Sequence, residues 1–267
     1  MDIKSPIGVI DSGVGGLTVL RCLQKNLPHE NFLYLGDTAR TPYGTRKRSE
    51  LIAMVAELTD FLAARNIKQL VVACNTITVL GLDVIKGQHP FQVIGMSKGA
   101  NLALAHSKNK RIGVFATDFT VSTQAHKKAI QAVDPTAQVF AQGCTKFVPL
   151  IEQEKFGSKE LTAAIEEYAA ALKAHQVDTV LLSCTHYPFV KQAVEEAFGP
   201  SVTVLDPAEA TVQDTIAALK TSHLAAKSGL GHCHVCFTAD LARAKRLAEL
   251  MLYLNHCTFE QVELAKF

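Results

Sequence analysis

The sequence predicts an α/β protein with two similar lobes, each a mainly parallel sheet flanked by helices. Three observations carry that prediction. Short apolar runs of strand length alternate with longer stretches whose apolar residues recur at helical spacing. The alternation then begins again in the second half of the chain. Finally, two of the strand-like runs end alike, in Val71-Val72-Ala73-Cys74-Asn75-Thr76 and in Leu181-Leu182-Ser183-Cys184-Thr185-His186. At 267 residues the chain is long enough for two lobes.

Residues 7–10 read as a first buried strand, and Asp11-Ser12-Gly13-Val14-Gly15-Gly16 as the turn into a helix over 17–27. Glycines there let backbone approach an anion at a helix amino end, but the spacing is neither G-x-G-x-x-G nor a P-loop, so no nucleotide is implied. Asp11 and Ser12 fit both a ligand contact and a helix cap. A second strand over 32–35 runs into Gly36-Asp37-Thr38 and a loop through Thr41-Pro42-Tyr43-Gly44, which can wall a pocket or simply turn. Ser49 is placed to cap the next helix, whose face carries Leu51, Ile52, Val55, Leu58 and Leu62. Strands over 70–73 and 91–94 follow, and Gly99-Ala100 opens another helix.

From Arg111 the order repeats. Residues 112–115 echo 7–10, Val139-Phe140 with Gly143 echoes Tyr34-Leu35-Gly36, 180–184 echoes 70–74, and 202–205 echoes Val93-Ile94. The offset is 105 residues from Ile7 to Ile112 and 110 from Cys74 to Cys184, the pattern of a duplicated unit with one thiol per copy. Helices are expected over 158–175, 188–198 and 239–252, with Pro188 in a first turn where its missing N–H is harmless. The segment after Asp206-Pro207 has no third copy of the cysteine signature. It is expected to complete the first lobe, giving 1–97 plus 208–267 as one lobe and 98–207 as the other.

Twenty-seven basic against twenty-five acidic residues leave a formal charge of +2, and the densest basic cluster, Arg46-Lys47-Arg48, reads as solvated surface. No nucleic-acid partner is expected. No apolar run is long enough to span a bilayer and no signal-peptide core precedes the first strand, which predicts a cytoplasmic protein without a membrane partner. The seven cysteines, an odd number spread through the chain, do not form a disulfide framework. His232-Cys233-His234-Val235-Cys236 lacks the separated pairs of a zinc finger, and its alternation sends successive side chains to opposite faces. It is read as a strand, and no metal is expected.

Cys74 and Cys184 stand where ligands bind in open parallel sheets, beyond the carboxyl ends of strands. A lone cysteine is more often a buried structural residue. The repeated context, matching where the strands stop as well as where they run, favours chemistry.

Five ordered blocks then identify a resemblance to the glutamate racemases of the cofactor-independent aspartate/glutamate racemase superfamily. They are Asp11-Ser12-Gly13-Val14-Gly15-Gly16-Leu17-Thr18-Val19, Gly36-Asp37-Thr38-Ala39-Arg40 with Pro42-Tyr43-Gly44, Ala73-Cys74-Asn75-Thr76, Phe147-Val148-Pro149-Leu150-Ile151-Glu152, and Cys184-Thr185-His186-Tyr187-Pro188. They fall within the first 210 residues. The resemblance implies two α/β lobes with the active site between them. It implies Cys74 and Cys184 as the two acid/base residues, acting on D- and L-glutamate respectively, with Asp11, Glu152 and His186 assisting. Asp11, Ser12, Pro42, Tyr43, Gly44, Asn75, Thr76, Thr117, Thr120, Thr185 and His186 are the implied glutamate ligands. No cofactor is implied, a homodimer is allowed for, and the D-glutamate would serve peptidoglycan synthesis. The sequence departs from the family pattern at Ile77-Thr78, Ser183, Thr145 and His126, positions that bear on pocket shape. The competing accounts are an aspartate racemase or related isomerase, a non-catalytic amino-acid-binding protein, and a redox or metal protein built on the cysteines.

Overall fold

The computed structural model describes residues 2–253 and 255–264. Positions 1, 254 and 265–267, which the expected first lobe includes, lie outside the described residues. The chain divides into two compact units, Met1–Met96 with Thr211–Phe267, and Ser97–Ala210.

The first unit begins with β1 (Ile7–Asp11), α1 (Leu17–Asn26), β2 (Phe32–Gly36), α2 (Arg48–Ala63), β3 (Gln69–Val72), α3 (Asn75–Leu80) and β4 (Gln92–Gly95). Every residue of β1, β2 and β3 is buried, as expected of parallel strands covered on both faces. Helix α2 turns Leu51, Val55, Leu58 and Leu62 inward, whereas Ile52, expected on that face, is 37% exposed. Ser49 lies inside α2 rather than capping it. The Glu50 carboxylate instead accepts the Lys47 N–H at 3.0 Å, so an acidic side chain at the third helical position closes the helix start.

The second unit carries α4 (Ala100–His106), β5 (Arg111–Ala116), α5 (Asp118–Ser122), α6 (Ala125–Val133), β6 (Gln138–Gly143), α7 (Phe147–Glu152), α8 (Lys159–Lys173), β7 (Thr179–Ser183), α9 (Lys191–Phe198) and β8 (Thr203–Leu205). The Ser158 hydroxyl caps α8 by accepting from the Leu161 N–H. Gly99, at φ +65°, turns the chain into α4. A Cβ there would stand 2.9 Å from a Leu181 methyl, so backbone conformation and close approach both require glycine. Pro188 opens a 3-10 turn, Tyr187–Val190, and α9 follows it. Edge-to-face rings hold this region in its core: Phe147 meets Tyr187 at 5.1 Å between centroids and Phe115 at 6.0 Å.

The chain closes with α10 (Ala208–Thr221), β9 (Cys233–Phe237), α11 (Leu241–Met251) and β10 (Cys257–Gln261). The sheets run β10-β9-β2-β1-β3-β4 and β6-β5-β7-β8, and every pairing is parallel. The order second-first-third-fourth therefore occurs twice, with connections leaving to opposite sides at β1/β3 and at β5/β7. Such switch points open a crevice at the carboxyl ends of the strands. No described helix is long and apolar enough to cross a membrane.

Candidate active site

Each sheet brings functional side chains to its own switch point. In the first unit, β1 ends in Asp11 and Ser12, and its neighbour β3 runs out through Ala73 into Cys74. Adjacency places the Cys74 sulfur 3.7 Å from the Ser12 hydroxyl, with the cysteine residue 4% exposed. Asp11 accepts the Gly13 N–H at 3.0 Å, and Tyr34, reaching up from β2, donates to the Gly13 carbonyl at 2.7 Å. This loop tolerates no bulk beneath it: a Cβ at Gly36 would stand 2.2 Å from the Gly13 carbonyl oxygen. Asn75 and Thr76, opening α3, are buried, and the Asn75 amide nitrogen has no hydrogen-bond partner among the described residues.

Beyond β2, Asp37 accepts from Thr238 Oγ1 at 2.9 Å, from Arg40 Nε at 2.6 Å and from the Tyr43 hydroxyl. Arg40 reaches on to Glu57 at 2.5 Å. Pro42 precedes the 3-10 turn Tyr43–Thr45 that contains Gly44. Burial, and then the Asp37 charge, push the Tyr43 hydroxyl far above its ordinary ionisation, so it remains a neutral donor. Asp37 and Arg40 were not among the sequence-predicted site residues. The available signal was a carboxylate directly after an all-apolar strand, where burial demands partners.

In the second unit, β7 delivers Cys184, Thr185 and His186, all buried. The Cys184 sulfur lies 4.0 Å from His186 Nδ1, and His186 Nε2 lies 2.8 Å from Glu152 Oε1 at the end of α7. Burial alone would lower the pKa of His186, but hydrogen bonds and charge from Cys184 and Glu152 outweigh it and hold the ring well above its ordinary value. Both neighbours therefore favour the protonated ring. Strand β5 pairs with β7 through Ala116 opposite Ser183. Thr117, next in the chain, caps α5 by accepting the Thr120 N–H at 3.3 Å, and the two threonine hydroxyls lie 3.0 Å apart.

Cys144, absent from the sequence-predicted set, belongs to the same neighbourhood. Its carbonyl accepts from Tyr187 at 3.3 Å, and burial followed by the facing Cys184 pushes its thiol pKa strongly up, keeping it protonated. The departures from the family pattern lie nearby in the chain. Ser183 is fully buried with no partner for its hydroxyl among the described residues, Thr145 lies 3.4 Å from the Tyr168 hydroxyl, and His126 is buried in α6. Burial and then Lys98 lower the His126 pKa to about 4.

Parallel sheets with thiols, hydroxyls, an amide and a buried histidine–carboxylate pair at their switch points define an enzyme of the proton-transfer class. The chain belongs to the Asp/Glu/Hydantoin racemase family, whose model matches residues 7–215. It is 42% identical over 214 residues to a glutamate racemase from Lactiplantibacillus plantarum, covering 80% of this chain and 78% of that one. It is 35% identical to a Lactococcus lactis subsp. cremoris glutamate racemase over 98% of this chain and 97% of that one. Among solved structures, a glutamate racemase isoform from Bacillus anthracis superposes with a TM-score of 0.90 at 30% identity, over 97% of this chain and 98% of that one. The Francisella tularensis glutamate racemase in complex with D-glutamate gives 0.86 at 26% identity, over 98% of each.

Proposed function

We propose that this chain is a glutamate racemase, interconverting L- and D-glutamate by two-base proton transfer and supplying D-glutamate for peptidoglycan. The observation that carries the reading is the repeated sheet order with a buried cysteine beyond its third strand each time. Glutamate racemases that match along nearly the whole chain support it.

Inverting an α-carbon requires removing its proton on one face and returning one on the other. One side chain cannot serve both faces, whereas a thiolate base and a thiol acid can, with roles exchanged in the reverse direction. Cys74 and Cys184 are proposed for those roles. The harder demand is the carbanion, because an α-proton beside a carboxylate is weakly acidic. Asn75, Thr76 and Thr185 are the proposed donors to that carboxylate as charge moves onto it. Preorganised donors of this kind contribute roughly 3 kcal/mol each. The buried amide nitrogen of Asn75, which no group among the described residues satisfies, supports the assignment. Asp11 and Ser12 beside Cys74, and His186 beside Cys184, are proposed to orient the substrate and balance charge at each sulfur. Pro42, Tyr43 and Gly44, with Thr117 and Thr120, complete the proposed set of glutamate contacts.

The test is circular dichroism of L-glutamate incubated with purified protein and no added cofactor. The signal should decay to zero as the racemic mixture forms. Turnover of L-aspartate in place of L-glutamate would instead indicate the related racemase, and binding of glutamate without loss of signal a non-catalytic protein.

A further inference from the structure

We infer that His234, Cys236 and Glu260 form a binding site for a divalent transition-metal ion of the zinc class, on strands β9 and β10 and apart from the proposed racemisation residues. The inference does not rest on the racemase reading. The motif at residues 232–236 does form a strand, and its alternation separates Cys233 and Val235 from His234 and Cys236. The same alternation puts His234 and Cys236 on one face. The third ligand comes from the neighbouring strand, since β9 and β10 pair in parallel with Thr258 opposite His234 and Glu260 opposite Cys236.

Nitrogen, sulfur and oxygen donors from these side chains all lie within 4.8 Å of one another. Ligand atoms around a tetrahedral zinc stand roughly 3–4 Å apart. His234 Nε2 and Glu260 Oε2 are already 2.9 Å apart, and the outward-facing Glu260 side chain can supply the remaining adjustment. His234 Nδ1 is engaged by the Thr258 hydroxyl at 2.7 Å, which fixes the ring and directs Nε2 towards the proposed ion, the supporting contact usual for a metal-ligating histidine. Borderline-soft N, S and O donors select zinc-like ions over magnesium or calcium. Three protein ligands leave a fourth position for water. His232, on the same face and 3.3 Å from Thr258, borders that side.

Binding must displace a proton from the Cys236 thiol to solvent, together with any proton that Nε2 shares with Glu260. Without metal, that thiol is held protonated by burial and by the Glu260 charge, against the pull of Arg65. The ion would tie the terminal edge strand β10 to β9.

The experiment uses the full chain carrying Cys74→Ser and Cys184→Ser, so that the thiols proposed for racemisation do not compete. Equilibrium dialysis against buffered zinc should find one ion per chain, with affinity falling tenfold or more in His234→Gln and in Glu260→Gln and unchanged in Cys257→Ala. Cobalt(II) should give thiolate-to-metal charge-transfer absorption that Cys236→Ala removes. His234 and Glu260 are partly exposed, so their variants decide the matter even if the Cys236 variant fails to fold. Absence of zinc binding, or equal affinity in the parent, His234→Gln and Glu260→Gln proteins, would overturn the inference. Racemase activity of metal-free wild type is measured separately, so failure of one reading leaves the other distinguishable.

Discussion

His186 stands between a sulfur and a carboxylate, and those two contacts raise its pKa against the effect of burial. His186→Asn keeps a polar side chain but removes the titratable ring. The expected loss in kcat is on the order of 10²–10⁴, with a smaller change in KM, measured by initial rates from both enantiomers. His126 presents the opposite case, a histidine that burial holds neutral, with a pKa of about 4 against an ordinary 6.5. Between those values the unfolded chain binds more protons than the native protein, so stability falls as pH falls from 6.5 towards 4. The slope reaches at most about 1.4 kcal/mol per pH unit. His126→Phe should flatten the pH dependence of the urea midpoint within that window. An equal slope in variant and wild type would show that other groups set the acid limit.

At the scale of elements, the parts that sequence made legible are those whose burial writes a pattern. Strands β1, β2, β3 and β7 are wholly buried and read as apolar runs, and the matching strand ends exposed Cys74 and Cys184 as a pair. Short helices such as α3, α5 and α7 have too few turns to show a period, and β10, largely unburied along Cys257–Gln261, lacks an apolar signature. Contacts between distant charged residues were not legible either. Nothing in the sequence singles out Lys68 and Glu30, yet they form a fully buried ion pair. Lys68 also donates to the Ile3 and Leu224 carbonyls at 2.6 and 2.9 Å, and Glu30 accepts the Ala226 N–H at 2.7 Å, so one pair joins four segments of the chain. Lys68→Met should cost about 3–5 kcal/mol in chemical unfolding, because it strands a buried carboxylate and two carbonyls. Lys68→Met with Glu30→Gln should recover part of that loss.

For the whole molecule, the informative feature is duplication without identity. Both sheets share one strand order, but their thiols have different neighbours: Ser12 lies beside Cys74, whereas an imidazole held by Glu152 lies beside Cys184. Two proton carriers in such unlike surroundings should fail differently when removed. If Cys74 acts on D-glutamate and Cys184 on L-glutamate, each Cys→Ser variant loses racemisation but differs in which enantiomer still exchanges its α-proton with solvent. Cys74→Ser should retain exchange from L-glutamate while losing it from D-glutamate, and Cys184→Ser should show the reverse. Proton NMR in deuterium oxide follows both exchanges directly, and an Ala variant at each position sets the floor. Equal loss from both enantiomers in both variants would mean that the thiols act as one coupled unit, and the assignment of one sulfur to each enantiomer would fall.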